Sequence, residues 1–553
     1  MTAPERWDAA RVRQLFRDTL PGRNLVVVSN REPYQHVWGD SEVRVDRPAG
    51  GLTAALDPVL QGIGGTWVAW GSGDADRAVS ANGIVWVPPE NPGYRLKRVW
   101  LSPREVRGYY EGYSNRVLWP LCHLLIERVD LSEAWWKHYA QVNRRFAVET
   151  AGVARPGDVV WVHDYQLALV PLFLRSRCPQ VLICSFWHIP WPPHAAFRFC
   201  PQASQIIKGL LGCDLIGFQT PEYAVSFLEC VEKELGDACQ VSYDGGGPDP
   251  DSGWAAGQVR WQHGTVAVGA FPISIDYDAF AAMALSRDAL AAARRILRRL
   301  GLAAGAAGVR LRKGNTLQPL ALGIAVDRLD YTKGILERLA ALDRFFSDNP
   351  HYREKVAVVQ VVAPSRTGIP DYRRLRQQVS SMMDELNQRH RTEIWQPVYS
   401  IDHKLGPVTL AGLYRLADFA IVSSVYDGMN LVAKEFVAAR SDGDGVLLLS
   451  KTAGAAAELE QAIPINPLDP AGFAAAIRTA LEMPAEERRR RMAALRAYVS
   501  EHNIYHWVAS FLRALGSLPA ASSLPVASSP AGADVTQPAV PRPVRHTRAG
   551  VNR

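Results

Sequence analysis

The stretch Asp327-Arg328-Leu329-Asp330-Tyr331-Thr332-Lys333-Gly334 sets an arginine and a lysine five residues apart, directly after the apolar run 322–326. Ligands of open α/β sheets collect beyond the carboxyl ends of strands. There an arginine fork and a compact lysine charge suit a diphosphate. Taken alone, the stretch reads equally well as a surface ion-pair cluster with Asp327 and Asp330. A second run, Ser424-Val425-Tyr426-Asp427-Gly428-Met429-Asn430, also follows a strand-like segment and leads into Leu431, Val432, Ala433, Lys434 and Glu435. Gly428 permits a tight turn and Asn430 is a good N-cap. The free N–H groups of a helix starting at Leu431 would favour an anion. Glu435, one turn in, could accept two vicinal hydroxyls such as a ribose presents, and Asp427 could hold a sugar hydroxyl. Ordinary capping with a solvent-facing Glu435 is the alternative.

Four further groups carry weaker signals. Arg31 follows the first strand-like run, 24–30, and Gly50-Gly51 precedes a helical stretch, where backbone amides can approach phosphate closely. Tyr109, Tyr110 and Trp119 cluster on a polar stretch read as poor in helix, where aromatics either stack on sugar rings or serve as core. His163-Asp164 and His188-Ile189 stand at the ends of strand-like runs, placed for hydroxyl or acid–base contacts. Arg366 is another cation at a strand end and, in isolation, a surface arginine.

Several classes fall away. No G-x-S-x-G elbow supplies a hydrolase nucleophile for the His/Asp pair. The single H-x-x-x-H, His502 and His506, carries Asn503 where a zincin needs Glu, so no metal site is expected. Seven cysteines, odd in number and without C-x-x-C, suggest neither a disulfide framework nor zinc. Of the net charge of +7, the residues from Ala521 onward contribute +3 through four arginines and Asp534, without interleaved aromatics. Nucleic acid is therefore not an expected partner. No apolar run approaches the roughly 20 residues that cross a bilayer. The opening MTAPERWDAARVRQLF has no apolar core of a secretory signal, so no membrane association and a cytoplasmic location are expected.

The elements that must position these groups alternate between strand and helix. Strand-like runs fall at 24–30, 65–70, 158–162, 181–187 and 215–218, and again at 322–326, 355–362, 392–398, 419–423 and 446–450. Helical stretches separate them, the signature of parallel sheets with crossover helices. The fold class expected is α/β with two Rossmann-like lobes facing a cleft. Residues 1–275 form the first lobe, with an N-terminal helix and an exposed loop at 242–257. Residues 276–485 form the second, the helices of 486–517 return to the first, and 518–553 read as a disordered tail.

Ten ordered segments, VVSNREPY, RPAGGL, YYEGYSNRVLWPLCH, VHDYQL, FWHIPWPP, DLIGFQT, FPISID, DRLDYTKG, APSRT and DGMNLVAKE, fall between Val27 and Glu435, within a likeness that runs from about Asn24 to Leu512. Through them the chain resembles the trehalose-6-phosphate synthases, retaining enzymes of glycosyltransferase family 20 with the two-lobed GT-B fold. The resemblance implies glucosyl transfer from a nucleoside diphosphate glucose, UDP-glucose first, to glucose 6-phosphate. It puts Arg328 and Lys333 on the donor diphosphate, Glu435 on the ribose, and the Leu431–Lys434 helix start with Gly50 and Gly51 on donor phosphates and sugar. Asp427 and His188 would contact the transferred glucose, and the backbone near Leu405 the base. Arg31, Tyr110, Trp119 and Arg366 would hold the acceptor phosphate region, Asp164 an acceptor hydroxyl, and Trp119 with Ile189 would select the anomer. Arg328, Lys333, Asp164 and His188 are thus the residues expected to carry catalysis. No cofactor or metal is implied, and a homo-oligomer is compatible with the resemblance. Two departures stand out: Asp327 where the family commonly has Glu, and Tyr426 where it has Arg or His. The related glucosylglycerol-phosphate synthases share REPY but lack the Gly-Gly-Leu and Ser-Arg kept here at 50–52 and 365–366, so glucose 6-phosphate is preferred to glycerol 3-phosphate. A silent regulatory homologue would be expected to lose Arg328, Lys333 or Glu435; all three are present. The one D-x-D-x-V match, 442–446, precedes its strand, so a phosphatase is not expected.

Overall fold

The computed structural model describes residues 6–518 apart from 41, 48–50, 245–253, 263, 306–307, 315 and 367. Gly50, most of the 242–257 loop and the tail beyond 518 therefore lie outside the described residues.

Two sheets organise the chain. The first has ten strands, in the order Gln240–Tyr243, Trp254–Trp261, Gly264–Ala270, Leu215–Phe218, Leu182–Phe186, Val159–His163, Leu25–Arg31, Thr66–Trp70, Tyr94–Val99, Ile84–Val87. Its seven central strands, from Gly264–Ala270 to Tyr94–Val99, are parallel. The second is wholly parallel, in the order Val398–Ile401, Val356–Ala363, Ala321–Arg328, Phe419–Val422, Val446–Ser450, Ile463–Ile465. By order of appearance, these six strands run 3-2-1-4-5-6. The same order recurs in the first sheet, where Leu25–Arg31 and Val159–His163 are neighbours. Each sheet thus reverses direction at one point, leaving a crevice beyond its strand ends. Burial on both faces explains the unbroken apolar runs: in Leu25–Arg31 only Arg31 is exposed.

The final helix, Ile504–Gly516, closes onto the first lobe, with Trp507 and Phe511 stacked on Trp161 at centroid distances of 5.0 and 4.5 Å. The helix Ala485–Glu501 before it packs on the second lobe's helix Leu431–Ala439. These two C-terminal helices therefore clasp both lobes.

Three stretches fold differently from what their sequence suggests. The polar stretch carrying Tyr110 and Trp119 is helical throughout: Pro103–Glu105, the π-wound Val106–Leu118, then Trp119–Cys122. Gly108 and Gly112 depress its helix propensity. They are there because the next helix, Glu133–Ala151, lies too close for a side chain: a Cβ would come 2.6 Å from the ring of His138 or Trp135. The flanks of the 242–257 segment are strands, with Tyr243 opposite Gly257 at the antiparallel edge of the first sheet. The strand expected at 392–398 starts only at Val398, after Pro397, because Trp395 is turned inward to donate its indole N–H to Val356 O at 3.0 Å.

Candidate active site

Both crevices open onto one another. Arg31 and Asp164 leave neighbouring strands of the first sheet, and His188 leaves the next one along. The loops 328–334 and 423–430 leave neighbouring strands of the second. The lobes touch through these loops. The Tyr223 hydroxyl donates to Asp427 O at 3.3 Å, and the Trp119 indole N–H to Asp330 Oδ1 at 3.3 Å. At Gly428 a Cβ would overlap His188 O and lie 3.0 Å from Ile189 Cα, so only glycine fits between the two backbones.

On the second lobe, Lys333 donates to Asp427 Oδ2 at 2.6 Å. The same oxygen accepts from Ser424 Oγ at 3.0 Å and from Asn430 Nδ2 at 3.1 Å. Burial works against the Asp427 charge, but Lys333 outweighs it and draws the carboxyl down to about 2. Asn430, in a strained backbone conformation at φ 93°, caps the helix Leu431–Ala439 by accepting from Ala433 N–H at 3.3 Å. Glu435 is half-buried, accepts from the Tyr414 hydroxyl at 3.3 Å, and is pushed up to about 7 by burial. Lys434 does not face the cleft with its side chain; it is buried against Glu458 at 2.7 Å and Ile273 O at 2.9 Å, so only its backbone belongs to the helix start. Arg328 differs from its neighbours. Its guanidinium carbon lies 5.7 Å from the centroid of the Trp119 ring, and it makes no hydrogen bond or ion pair among the described residues.

Between the lobes, Asp330 gathers a buried network. It accepts from Arg366 at 2.7 Å, the Tyr372 hydroxyl at 3.2 Å, and both N–H and hydroxyl of Thr332 at 3.1 Å. Arg366 lies 4.1 Å over the Trp119 ring, and its Nε is sealed from solvent without an acceptor. Arg31 donates to the Tyr110 hydroxyl at 3.1 Å. Burial would raise the Tyr110 phenol, but Arg31, Arg366 and Arg328 together draw it down to about 8. Arg31, Tyr110, Trp119, Arg328 and Arg366 are therefore brought together as one cationic, aromatic pocket.

On the first lobe, Asp164 sits at φ 77° and is pushed up to about 6 by burial, although the Tyr165 and His188 N–H groups oppose this. His188 is held by a chain whose proton positions follow from geometry. Gln219 Oε1 accepts from Ile273 N–H at 3.0 Å, so its amide nitrogen is the group 3.4 Å from His188 Nδ1. Nδ1 must then accept, leaving the proton on Nε2 to be donated to His163 Nδ1 at 3.0 Å. Burial holds His188 down at about 3 and His163 well below the usual histidine range, so both rings are neutral. Both ring nitrogens of His188 face protein groups, and it is the backbone of His188 and Ile189 that meets the Gly428 loop. Leu405 is a half-buried loop residue of the second lobe, before the helix Pro407–Leu416, and Gly51 is the first residue of the helix Gly51–Ile63.

Some participants were not singled out from the sequence. Arg338, fully buried, joins Asp327 at 2.9 Å, Gln360 at 3.2 Å and Ser423 at 2.8 Å, bracing the strand ends beneath the site. Tyr372, Tyr414 and Gln219 were equally unmarked. Tyr426, one of the two departures, packs edge-on against Tyr223 of the other lobe with centroids 6.2 Å apart. Among the described residues no cluster of three metal-ligating side chains occurs.

Twin 3-2-1-4-5-6 sheets closing on a cationic cleft define a two-lobed glycosyltransferase of the GT-B kind. The family model of glycosyltransferase family 20 matches residues 23–517, and the chain belongs to that family. It is 38% identical over 504 residues to the trehalose-6-phosphate synthase of Mycolicibacterium smegmatis, covering 90% of this chain and 94% of that one. Among solved structures it is similar to a UDP-forming alpha,alpha-trehalose-phosphate synthase from Burkholderia xenovorans in complex with glucose-6-phosphate. That match has a TM-score of 0.76 and 30% identity, covering 89% of this chain and all of that one. It is also similar to the E. coli protein bound with UDP-2-fluoro glucose, with a TM-score of 0.75 and 28% identity, over 90% and 99% of the two chains.

Proposed function

We infer that this enzyme transfers glucose, with retention, from UDP-glucose to glucose 6-phosphate, giving trehalose 6-phosphate and UDP. The observation that carries this reading is the facing of two switch points. Arg328, Lys333 and the helix start at Leu431 stand on one side, and Arg31, Tyr110 and Asp164 on the other, with Gly428 pressed against His188. The lobe ending near residue 275 takes the acceptor and the lobe of 276–485 takes the donor.

The chemistry follows from the charges. As the bond from glucose to the diphosphate breaks, the leaving oxygens gain negative charge, met by Arg328, Lys333 and the free N–H groups of residues 431–434. The acceptor hydroxyl attacks the face the diphosphate leaves, and a diphosphate oxygen takes its proton, so no protein nucleophile is needed. Asp164 accepts an acceptor hydroxyl. Arg31, Tyr110 and Arg366 bind the acceptor phosphate, with Trp119 and Ile189 shaping the anomeric choice. Asp427, besides contacting the glucose, holds Lys333 in place until the diphosphate arrives. These cations do the work a divalent metal performs elsewhere, so the reading calls for no cofactor. No helix among the described residues is long and apolar enough to cross a membrane.

Incubating purified protein with UDP-glucose and either glucose 6-phosphate or glycerol 3-phosphate, with mass analysis of the product, tests the reading. A disaccharide phosphate is expected; product only with glycerol 3-phosphate would replace this reading with its nearest rival. Absence of product with both would favour a silent regulatory homologue, against which Arg328, Lys333 and Glu435 all stand.

Glu435 adds a pH signature. A ribose needs the carboxylate as acceptor, and burial favours the protonated acid up to about pH 7. UDP affinity is therefore expected to rise from pH 6 to pH 8. By the same linkage, a raised acid stabilises the unliganded fold below its unfolded value and loses that contribution as pH climbs through 7. Titration calorimetry with UDP should show this slope, and Glu435→Gln should flatten it. An identical slope in the variant would remove Glu435 from the ribose.

A further inference from the structure

On the far side of the donor lobe, at the amino ends of its strands, lies a second cavity of about 590 Å³. Its walls include Arg294, Arg415, Asp418, Phe419, Arg440 and Arg488. Ala321 and Phe419, both on its wall, begin the strands whose opposite ends carry the cleft loops, so the cavity and the cleft sit on opposite edges of one sheet.

The charges around it do not cancel. Arg440 is committed to Asp442 at 2.9 Å, to Arg415 O at 2.9 Å and to Asp444 O at 2.5 Å. Arg488 grips both oxygens of Asp444, at 2.7 and 3.1 Å. Asp442 and Asp444 are thereby neutralised within the protein. Arg294 is different: it makes no hydrogen bond or ion pair among the described residues, and its Nε is shut off from solvent without an acceptor. Arg415 places one nitrogen on Ala284 O at 3.1 Å and leaves the rest of its fork uncommitted among the described residues. Both guanidinium forks therefore stand on the cavity wall with nitrogens that no protein group engages among the described residues. The two arginines share the cavity because their helices, Arg287–Arg299 and Pro407–Leu416, cross closely at Gly412. A Cβ there would overlap Ala289 O and lie 3.0 Å from Ala293 Cβ. One carboxylate remains, Asp418, whose Oδ2 accepts from Leu322 N–H at 2.7 Å.

We propose that this cavity is a second ligand site, distinct from the catalytic cleft, for a sugar phosphomonoester. The phosphate lies between the forks of Arg294 and Arg415, and the sugar hydroxyls reach Asp418. Planar guanidinium forks match phosphate oxygens, the carboxylate oxygen of Asp418 not held by Leu322 matches hydroxyls, and the volume falls in the range of small-ligand sites, about 300–1,000 Å³. The site also reaches the donor side. Arg415 follows Tyr414, whose hydroxyl holds Glu435, so a ligand drawing on Arg415 pulls the helix that positions the ribose carboxylate. This coupling rests on the donor reading of Glu435, whereas binding in the cavity does not.

The test uses the full chain with saturating UDP and labelled glucose 6-phosphate in equilibrium dialysis. Two equivalents per chain are expected, one in the cleft and one in the cavity, falling to one in the Arg294→Gln/Arg415→Gln variant with its melting temperature retained. One equivalent on the native chain, or two on the folded variant, would overturn the site. Because the native stoichiometry decides by itself, a misfolded variant does not rescue the idea. In the variant the donor KM is expected to shift on the order of fivefold at unchanged kcat; an unchanged KM beside a lost second equivalent overturns the coupling.

Discussion

Replacing Arg328 by alanine is expected to cut turnover by about 10²–10³-fold, the usual effect of removing one donor aimed at developing negative charge, while leaving the fold intact. The reason lies in what Arg328 does not do. Its neighbours are committed within the protein: Lys333 to Asp427, Arg366 to Asp330, Arg338 to Asp327. Arg328 makes no hydrogen bond or ion pair among the described residues and lies over the face of Trp119. A cation whose guanidinium is tied to no carboxylate by an ion pair among the described residues is poised for an anion brought by substrate. Removing Lys333 would instead strand Asp427, confounding chemistry with stability. Initial rates of UDP release, read beside a thermal melt, should show activity lost and melting temperature kept. Near-native turnover would detach Arg328 from the diphosphate, and with it the account of the leaving group.

Sequence alone singled out Arg328, Lys333, Asp164 and His188, which the structure places at cleft-facing strand ends, because polar residues there have no packing reason to be present. It also reached the alternating elements, since strands buried on both faces are written as unbroken apolar runs. The order of those strands left no such trace. That Ala321–Arg328 lies beside Phe419–Val422 is a fact of tertiary pairing, and it is what brings the loops 328–334 and 423–430 together. Arg338 was invisible because an arginine in an amphipathic helix looks solvated until three partners are found at its tip. The helix through Tyr110 and Trp119 was obscured by Gly108 and Gly112, whose cost in propensity is accepted for close helix packing. His188 shows a subtler limit. Its type and place marked it as an acid–base or hydroxyl partner, yet Gln219 and His163 occupy both ring nitrogens, and neither can be located without the fold.

The juxtaposition of Gly428 with His188 makes the second large prediction. Both sides of that contact are backbone, so a methyl group cannot be absorbed by swinging a flexible side chain aside. In Gly428→Ala the new Cβ overlaps His188 O and sits 3.0 Å from Ile189 Cα, and the lobes must part by about 1 Å before ordinary contact returns. Donor groups on one lobe and acceptor groups on the other then lose register, and a misplacement of about 1 Å costs roughly 10²-fold in rate. UDP affinity should change little, because Arg328, Lys333, the helix start at Leu431 and Glu435 all belong to the donor lobe. The expected result is thus a fall in kcat of about 10² with UDP binding preserved in calorimetry and the melting temperature close to native. A variant turning over within twofold of the native rate would mean that catalysis does not require the lobes to meet here, and that the closed cleft is not the geometry in which glucose is transferred.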